Sequence, residues 1–347
     1  MTRHSFVFTA LAFATTSGVW GQTQVLKVDD DAFLMQRHEV SIGSGRAMNL
    51  VCAGSGSPTV IVESGLGSHM LHWQNVAVRM SQLTKTCYYD RAGFGYSGPS
   101  DVPLTATSVT DDLRSLLRHA RITGPLVLVG HSLGGLYTTV YANRFPRNVA
   151  GMVLIDPSFA QQDKELSPAE REQDEAGFKT SVTQLRDCAA LARAGKLSTD
   201  SHEECFAFAP NRLPAERAFL LYQFTRPYRY EAMASEIEAQ HSSDGMSDEN
   251  SKIELATRRK YGRMSLIVLT AERVPSPNES PVERERAIRS WQQWKAGHDA
   301  LASRSTRGAS LVVSKTSHFI QIDRPDAVVE AVERVVQQTR PSRLKAR

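Results

Sequence analysis

The feature that most constrains this chain is a serine held between two glycines, in the run GHSLG at residues 130–134. An apolar run at 125–129 precedes it and a helical pattern at 136–145 follows it, so Ser132 falls on a sharp turn from a buried strand into a helix. Both glycines are required because a side chain at either position would clash across that turn. The turn exposes the Ser132 hydroxyl and points the backbone N–H of Leu133 at a developing oxyanion. The motif therefore predicts a nucleophilic serine.

Strands and helices alternate on both sides of this motif. Strand patterns occur at 59–63, 85–90, 125–129, 150–155, 265–270 and 310–314, and helical patterns at 108–121, 136–145, 282–303 and 325–338. This alternation predicts an α/β fold with a mostly parallel sheet and helices on both faces. From 161 to 263 the chain is polar and helix-prone, with no comparable apolar strand. We expect a core of residues 22–160 and 264–347, with residues 161–263 inserted as a helical cap.

The first residues have the composition of a secretory signal peptide. Arg3 and His4 supply positive charge, and the segment 6–19 is apolar and uncharged. Small residues then favour cleavage after Gly21, so we predict a signal peptide over residues 1–21 and a periplasmic or secreted protein. The apolar run is too short for a lasting membrane anchor.

Charge and cysteine content add two expectations. The 41 Lys and Arg residues are interleaved with 37 Asp and Glu residues, for a net charge of +4, so no nucleic-acid partner is indicated. In an exported protein the four cysteines can oxidise. We predict a Cys188–Cys205 disulfide, since these two are close in sequence, and buried free thiols at Cys52 and Cys87, which lie on predicted strands.

Together with these patterns, three further stretches resemble the α/β-hydrolase family over nearly all of the chain after residue 21. The run ESGLGS at 63–68 resembles the oxyanion loop, with Ser64 where a histidine is more usual, and the resemblance assigns the second oxyanion donor to the Leu66 N–H. The run YDRAGFGYS at 89–97 resembles a conserved structural turn of the family. In the run SKTSHFI at 314–320, the resemblance makes His318 the general base.

The acid that orients the base is open between two carboxylates. Most family members carry an Asp a few residues after the strand at 265–270, but Val274 stands at that position here. A valine cannot orient an imidazole. Asp156 ends the preceding strand and keeps the chain order of nucleophile, acid and base, while Glu272 is one position early on the next strand. We favour Asp156 over Glu272.

These residues predict a serine hydrolase that acts on a small-molecule carboxylic ester. Ser132 would attack the carbonyl carbon, with His318 as base. The pattern includes no metal-binding or phosphate-binding motif, and we expect no cofactor. A serine argues against haloalkane dehalogenase and epoxide hydrolase chemistry, for which the family uses Asp at this position. Amide, peptide or lactone hydrolysis remains open, as does a non-catalytic protein of the same fold that binds a small ligand.

Overall fold

Eight strands form one sheet that brings distant parts of the chain side by side. The computed structural model describes residues 32–206, 214–242, 248–274, 276 and 279–340, and the signal peptide predicted at 1–21 lies outside them. The strands are β1 (Glu39–Gly43), β2 (Arg46–Ala53), β3 (Thr59–Glu63), β4 (Thr86–Tyr89), β5 (Leu126–His131), β6 (Val149–Ile155), β7 (Ser265–Ala271) and β8 (Gly308–Val313). Their order is β1-β2-β4-β3-β5-β6-β7-β8; β2 pairs antiparallel with both β1 and β4, and all other neighbours are parallel. The predicted mostly parallel sheet is confirmed.

Helices cover both faces of this sheet. Those outside the cap segment are α1 (Gln74–Leu83), α2 (Ala106–His119), α3 (Leu133–Arg144), α8 (Pro281–Ala302), α9 (Ile320–Asp323) and α10 (Pro325–Thr339). Successive residues of a strand point to opposite faces. In β5, Val127 and Val129 therefore pack in one core cluster with α1 and α10, while Leu126 and Leu128 pack in another with α2, α3 and α8. Burial on both faces explains why β5 is apolar without alternation.

Among the described residues, four α-helices connect β6 to β7 within the segment predicted to be a cap. They are α4 (Pro168–Arg193), α5 (Pro214–Phe224), α6 (Pro227–Ala239) and α7 (Glu249–Thr257), and the described residues of this segment contain no strand. α4 begins with a capping box between Ser167 and Glu170. α6 packs on α4 and also contacts the core, since a Cβ added at Gly93 would lie 2.3 Å from the Cβ of Ala232. No helix among the described residues has the length and apolar composition to cross a bilayer.

Both pairs of cysteines form disulfides. The predicted Cys188–Cys205 bond is present and ties α4 to the turn that follows it, with 5.7 Å between the Cα atoms. The prediction of free thiols at Cys52 and Cys87 is wrong: these residues are directly opposite each other on the antiparallel strands β2 and β4, and their sulfurs are bonded. Strand register is a long-range property, so the sequence pattern identified the strands but not the facing pair. Two disulfides are consistent with an oxidising compartment.

Candidate active site

Ser132 lies on the turn between β5 and α3, in a backbone conformation that few non-glycine residues adopt. Its φ and ψ are 54° and −126°. The turn is closed so tightly that a Cβ on Gly130 would lie 2.5 Å from the carbonyl oxygen of Gly134, and a Cβ on Gly134 would lie 2.4 Å from the carbonyl oxygen of Ser64. The backbone N–H of Ser132 donates to Ile155 at 3.0 Å, which fixes the turn against the end of β6. The strain is therefore held by hydrogen bonding and packing around the serine.

Asp156 and His318 form a buried pair beside this turn. Asp156 follows the last residue of β6, which lies between β5 and β7 in the sheet. Its Oδ2 is 2.7 Å from Nδ1 of His318, and its Oδ1 accepts hydrogen bonds from the backbone N–H of Ala271 at 3.0 Å and from Nε1 of Trp294 at 2.9 Å. Both members of the pair are 4% exposed. The carboxylate thus has three partners, and one of its oxygens is reserved for the imidazole.

The electrostatics of the pair favour an ionised acid. Burial alone would raise the pKa of Asp156, but the hydrogen bond and positive charge of His318 outweigh it and hold that pKa below its usual value. The bonds from Trp294 and Ala271 stabilise the same charge. A carboxylate in this state can orient the imidazole ring and stabilise the positive charge that a general base acquires.

The competing carboxylate is placed differently. Glu272 is exposed, and its backbone N–H donates to the carbonyl of Val313 at 2.9 Å. Val274, where an Asp is usual in the family, is 61% exposed. The structure therefore brings Asp156, and not Glu272, to Nδ1 of His318.

Two residues near the pair, Trp294 and His298, carried no recognised signal in the sequence. His298 lies one helical turn after Trp294 on α8, is fully buried, and bonds Thr270 through Nδ1 at 2.7 Å and the Pro157 carbonyl through Nε2 at 2.9 Å. Burial lowers the pKa of His298 to about 4, so it stays neutral beside Asp156. The spacing of Trp294 and His298 at i and i+4 is the signal that could have marked one face of α8 as the support of the acid.

His131 also lies closer to the site than its place next to the nucleophile suggested. Its Nε2 donates to the carbonyl of His318 at 3.0 Å, and its ring centre is 4.6 Å from that of His318. Burial, and next the charge of His318, hold the pKa of His131 well below its usual range. A neutral His131 therefore anchors the loop that carries the base.

The loop after β3 packs against the nucleophile, as an oxyanion loop must. A Cβ on Gly65 would lie 3.2 Å from the Cβ of Ser132, closer than ordinary van der Waals contact, so the loop lies directly against the nucleophile. Leu66, the residue predicted to donate its backbone N–H, follows at once, while Leu133 is the first residue of α3. The hydroxyl of Ser64, which replaces the usual histidine, accepts a hydrogen bond from Nε1 of Trp73 at 3.0 Å. Its side chain therefore supports the loop without being the donor.

The turn that carries Asp90 and Arg91 holds neighbouring loops together. Asp90 is fully buried and accepts hydrogen bonds from the backbone N–H groups of Met70 and Tyr96 and from the side chain of Asn49. Burial raises its pKa to about 6. These contacts agree with the structural role expected for the turn. No group of three His, Cys, Asp or Glu side chains within the described part of the chain is arranged to hold a metal ion.

Comparison with known proteins finds similarity to α/β-hydrolases. A family model described as "Alpha/beta hydrolase family" matches residues 60–331. An uncharacterised Bacillus subtilis protein, YqjL, is 25% identical over 280 residues, which cover 80% of this chain and 83% of that protein. An "AB hydrolase superfamily protein" of Gibberella zeae is 30% identical over 113 residues, 31% of this chain and 35% of that protein.

Solved structures share the fold at low sequence identity. A mutant of a putative epoxide hydrolase from Pseudomonas aeruginosa is similar with a TM-score of 0.60 and 16% identity, over 88% of this chain and 96% of that one. The haloalkane dehalogenase DatA from Agrobacterium tumefaciens is similar with a TM-score of 0.60 and 15% identity, over 88% and 97%. At this identity the likeness extends to the fold alone.

Proposed function

The chain belongs to the alpha/beta hydrolase family and is a hydrolase, and from this premise we propose that it cleaves carboxylic esters through an acyl-enzyme formed on Ser132. The observation that carries the proposal is the buried Asp156–His318 pair at 2.7 Å, at the end of the strand that neighbours the Ser132 turn. A nucleophile, a base and an orienting acid at one edge of a parallel sheet are the parts that acyl transfer requires.

The chemistry would run in two steps. His318 takes the Ser132 proton as the hydroxyl oxygen attacks the carbonyl carbon, while Asp156 stabilises the imidazolium. The backbone N–H groups of Leu66 and Leu133 hold the negative oxygen of the tetrahedral intermediate, which collapses as His318 protonates the leaving alcohol. A water molecule that His318 deprotonates then attacks the acyl carbon, and His318 returns the proton to Oγ of Ser132 as the ester bond to the enzyme breaks and the acid leaves. No step requires a cofactor.

The names of the structural neighbours raise a second candidate within the family, since they are an epoxide hydrolase and a haloalkane dehalogenase. By the family resemblance, those reactions use an Asp as the nucleophile. This chain has Ser132 at that position, and this supports acyl transfer over alkyl transfer. Amides and lactones have the same electrophilic carbonyl as esters, so they are the alternatives that a substrate screen must include.

The two disulfides support the export that the N-terminal sequence predicts. Helices α4–α7 would form a lid that selects the substrate. The packing of α6 onto the loop after β3 supports this role for the segment. A Cβ on Gly67 would lie 3.0 Å from the sulfur of Met233, which α6 carries. The segment thus lies against the proposed oxyanion loop itself.

The test is a screen of purified protein against p-nitrophenyl esters of increasing acyl length, aliphatic lactones and aminoacyl amides. We expect ester turnover, and covalent labelling of Ser132 by a fluorophosphonate, located by peptide mass mapping. Ser132→Ala should lose both by several orders of magnitude. Ser158→Ala is the matched control, because Ser158 is as buried as Ser132, at 6% exposure. This variant should keep its activity and its label on Ser132. Turnover retained by Ser132→Ala, or labelling at another serine, would overturn the proposal.

A further inference from the structure

A carboxylate from helix α6 reaches into the core beneath the loop after β3. Glu236 is 0% exposed, although glutamates are almost never fully buried unless they are paired. Its Oε1 accepts a hydrogen bond from Nε of Arg91 at 2.6 Å, and its Oε2 accepts one from the backbone N–H of Gly67 at 2.9 Å. One carboxylate of the inserted segment therefore holds both a core arginine and the loop itself.

Arg91 holds the other side of the same loop. Its Nη1 donates to the carbonyl of Ser64 at 2.6 Å, and its Nη2 donates to the carbonyl of Gly65 at 2.7 Å. Nη1 also pairs with Glu63 at 2.7 Å, and a second oxygen of Glu63 accepts from the Tyr89 hydroxyl. Burial alone would lower the pKa of Arg91, but the charges of Glu236 and Glu63 raise it. The guanidinium therefore stays charged and fixed by its carboxylates.

The Gly65 carbonyl accepts from Arg91 and also from the backbone N–H of Ser68 at 3.1 Å, and its direction sets the direction of a neighbouring N–H. The carbonyl of Gly65 and the N–H of Leu66 belong to one planar peptide unit, in which they point in opposite directions. Arg91 on the carbonyl side thus turns the Leu66 N–H to the other side of the loop. Glu236 fixes the next peptide unit through the N–H of Gly67. Any rotation of the Leu66 N–H must break one of these buried, charge-assisted bonds.

We propose that Glu236 is a positioning residue for oxyanion stabilisation, because it couples the seating of helix α6 to the direction of the Leu66 N–H through Arg91 and Gly67. The inference rests on the proposed function of Ser132 and adds a role for the inserted segment in the chemical step. When α6 is seated, the donor is aligned. When α6 moves away, Arg91 loses one of its two carboxylate partners, and the loop loses its bond at Gly67.

The direct test is Glu236→Gln. Arg91 and Gly67 donate to different oxygens of Glu236, so a glutamine held in the same position offers its one oxygen to one of them and turns its NH₂ group towards the other donor. Complete loss of one oxyanion donor costs about 10²–10³-fold in turnover, and misalignment should cost less. We expect kcat/KM for p-nitrophenyl butyrate to fall roughly 10- to 100-fold.

A second readout separates positioning from a general loosening of the structure. Butaneboronic acid forms a tetrahedral adduct on a nucleophilic serine and uses the oxyanion donors, so its inhibition constant should rise by the same factor as kcat/KM falls. The ether p-nitrophenyl butyl ether has no carbonyl to place there, and its inhibition constant should change less than about threefold. Equal weakening of both inhibitors would overturn the inference in favour of a structural role.

Glu238→Gln is the matched control on the same helix. Glu238 is exposed and pairs with Arg186 of α4 at 2.5 Å, so its loss removes an ion pair within the inserted segment and leaves the loop untouched. We expect wild-type values for Glu238→Gln. Equal values for Glu236→Gln and Glu238→Gln would overturn the inference but not the proposed function.

If Glu236→Gln does not yield folded protein, Glu236→Asp is the deciding variant. Aspartate keeps the charge but is too short to reach both partners, so kcat/KM should fall by a smaller factor with the same boronate selectivity. Wild-type kinetics for Glu236→Asp would refute the inference. A wild-type protein inert to every ester would instead overturn the proposed function, and the inference with it.

Discussion

Replacing Asp156 with asparagine tests the site most sharply, because the structure dictates how the new amide must lie. Oδ1 of Asp156 accepts from two N–H donors, the backbone of Ala271 and the indole of Trp294, while Oδ2 faces Nδ1 of His318. An asparagine has one oxygen to give. With that oxygen towards the two donors, its NH₂ group must face His318.

The magnitude follows from the alternative orientation. Turning the amide so that its oxygen faces His318 would leave two buried N–H donors opposed by an NH₂ group, at about 1–3 kcal/mol each. The amide therefore keeps its NH₂ on His318 and forces Nδ1 to accept, which puts the imidazole proton on Nε2. An Nε2 that carries a proton cannot take one from Ser132. In a serine triad this wrong tautomer costs about 10⁴-fold in turnover, or roughly 5 kcal/mol. That loss lies within the range of free energy that turning the amide would cost through its two unsatisfied donors.

The assay is the steady-state hydrolysis of whichever p-nitrophenyl ester the wild type prefers. Glu272→Gln is the matched control, and it should stay within about twofold of wild type because Glu272 is exposed. The orientation argument has its own test in Trp294→Phe, which removes one of the two donors to Oδ1. It should slow the wild type, yet partly restore the Asp156→Asn variant, because turning the amide then opposes one donor fewer. A crippled Glu272→Gln beside a near-normal Asp156→Asn would refute the choice of acid. Equal slowing by Trp294→Phe in both backgrounds would refute the tautomer explanation.

Three further predictions concern stability, and chemical or thermal unfolding checks each of them. A Cβ on Gly130 would lie 2.4 Å from Oγ1 of Thr138, so Gly130→Ala should lower the free energy of unfolding by about 1–3 kcal/mol. A Cβ on Gly177 in helix α4 meets no atom within 4 Å, so Gly177→Ala should raise it by about 0.5–1 kcal/mol. The opposite signs would contradict the packing argument. Replacing both Cys188 and Cys205 with serine should lower the unfolding free energy by about 3 kcal/mol, and replacing both Cys52 and Cys87 should lower it by about 4 kcal/mol. The second pair costs more because it closes the longer loop, with a sequence separation of 35 against 17. The reverse order would refute the loop argument. His298 has a pKa of about 4 in the folded protein against an ordinary 6.5, so between these pH values the unfolded chain binds a proton that the folded protein does not. The free energy of unfolding should therefore fall by about 3 kcal/mol as the pH falls from 6.5 towards 4. His298→Gln should flatten this dependence of Tm on pH, and an unchanged slope would contradict the prediction.

The sequence by itself determined those features that depend on short stretches of chain. The turn at Ser132 is encoded by its two flanking glycines. The clash avoided at Gly130 is with Gly134 and Thr138, a few residues away, whereas the clash avoided at Gly134 is with Ser64 on the loop after β3. The strands and helices of the sheet follow from apolar periodicity, which is also local. His318 could be singled out by its place in the loop between the last strand and the last helix, a matter of chain order. The Cys188–Cys205 pairing was likewise readable because the two residues are close in sequence.

Only the tertiary structure decided the features that depend on which distant segments are neighbours. The sequence favoured Asp156 over Glu272 but left both open as acids at strand ends. The position of β6 between β5 and β7, with Trp294 of α8 bonded to the carboxylate, brings Asp156 to His318. The Cys52–Cys87 bond depends on the register of β2 and β4. A period of two residues fixes which side chains share a face but not which pair stands directly opposite. Glu236 had no signal at all in a polar helical segment. Glu236 lies 145 residues from Arg91 in the sequence, but folding brings the two side chains to a hydrogen bond of 2.6 Å. A buried charge is tolerated only where folding brings its partner to it.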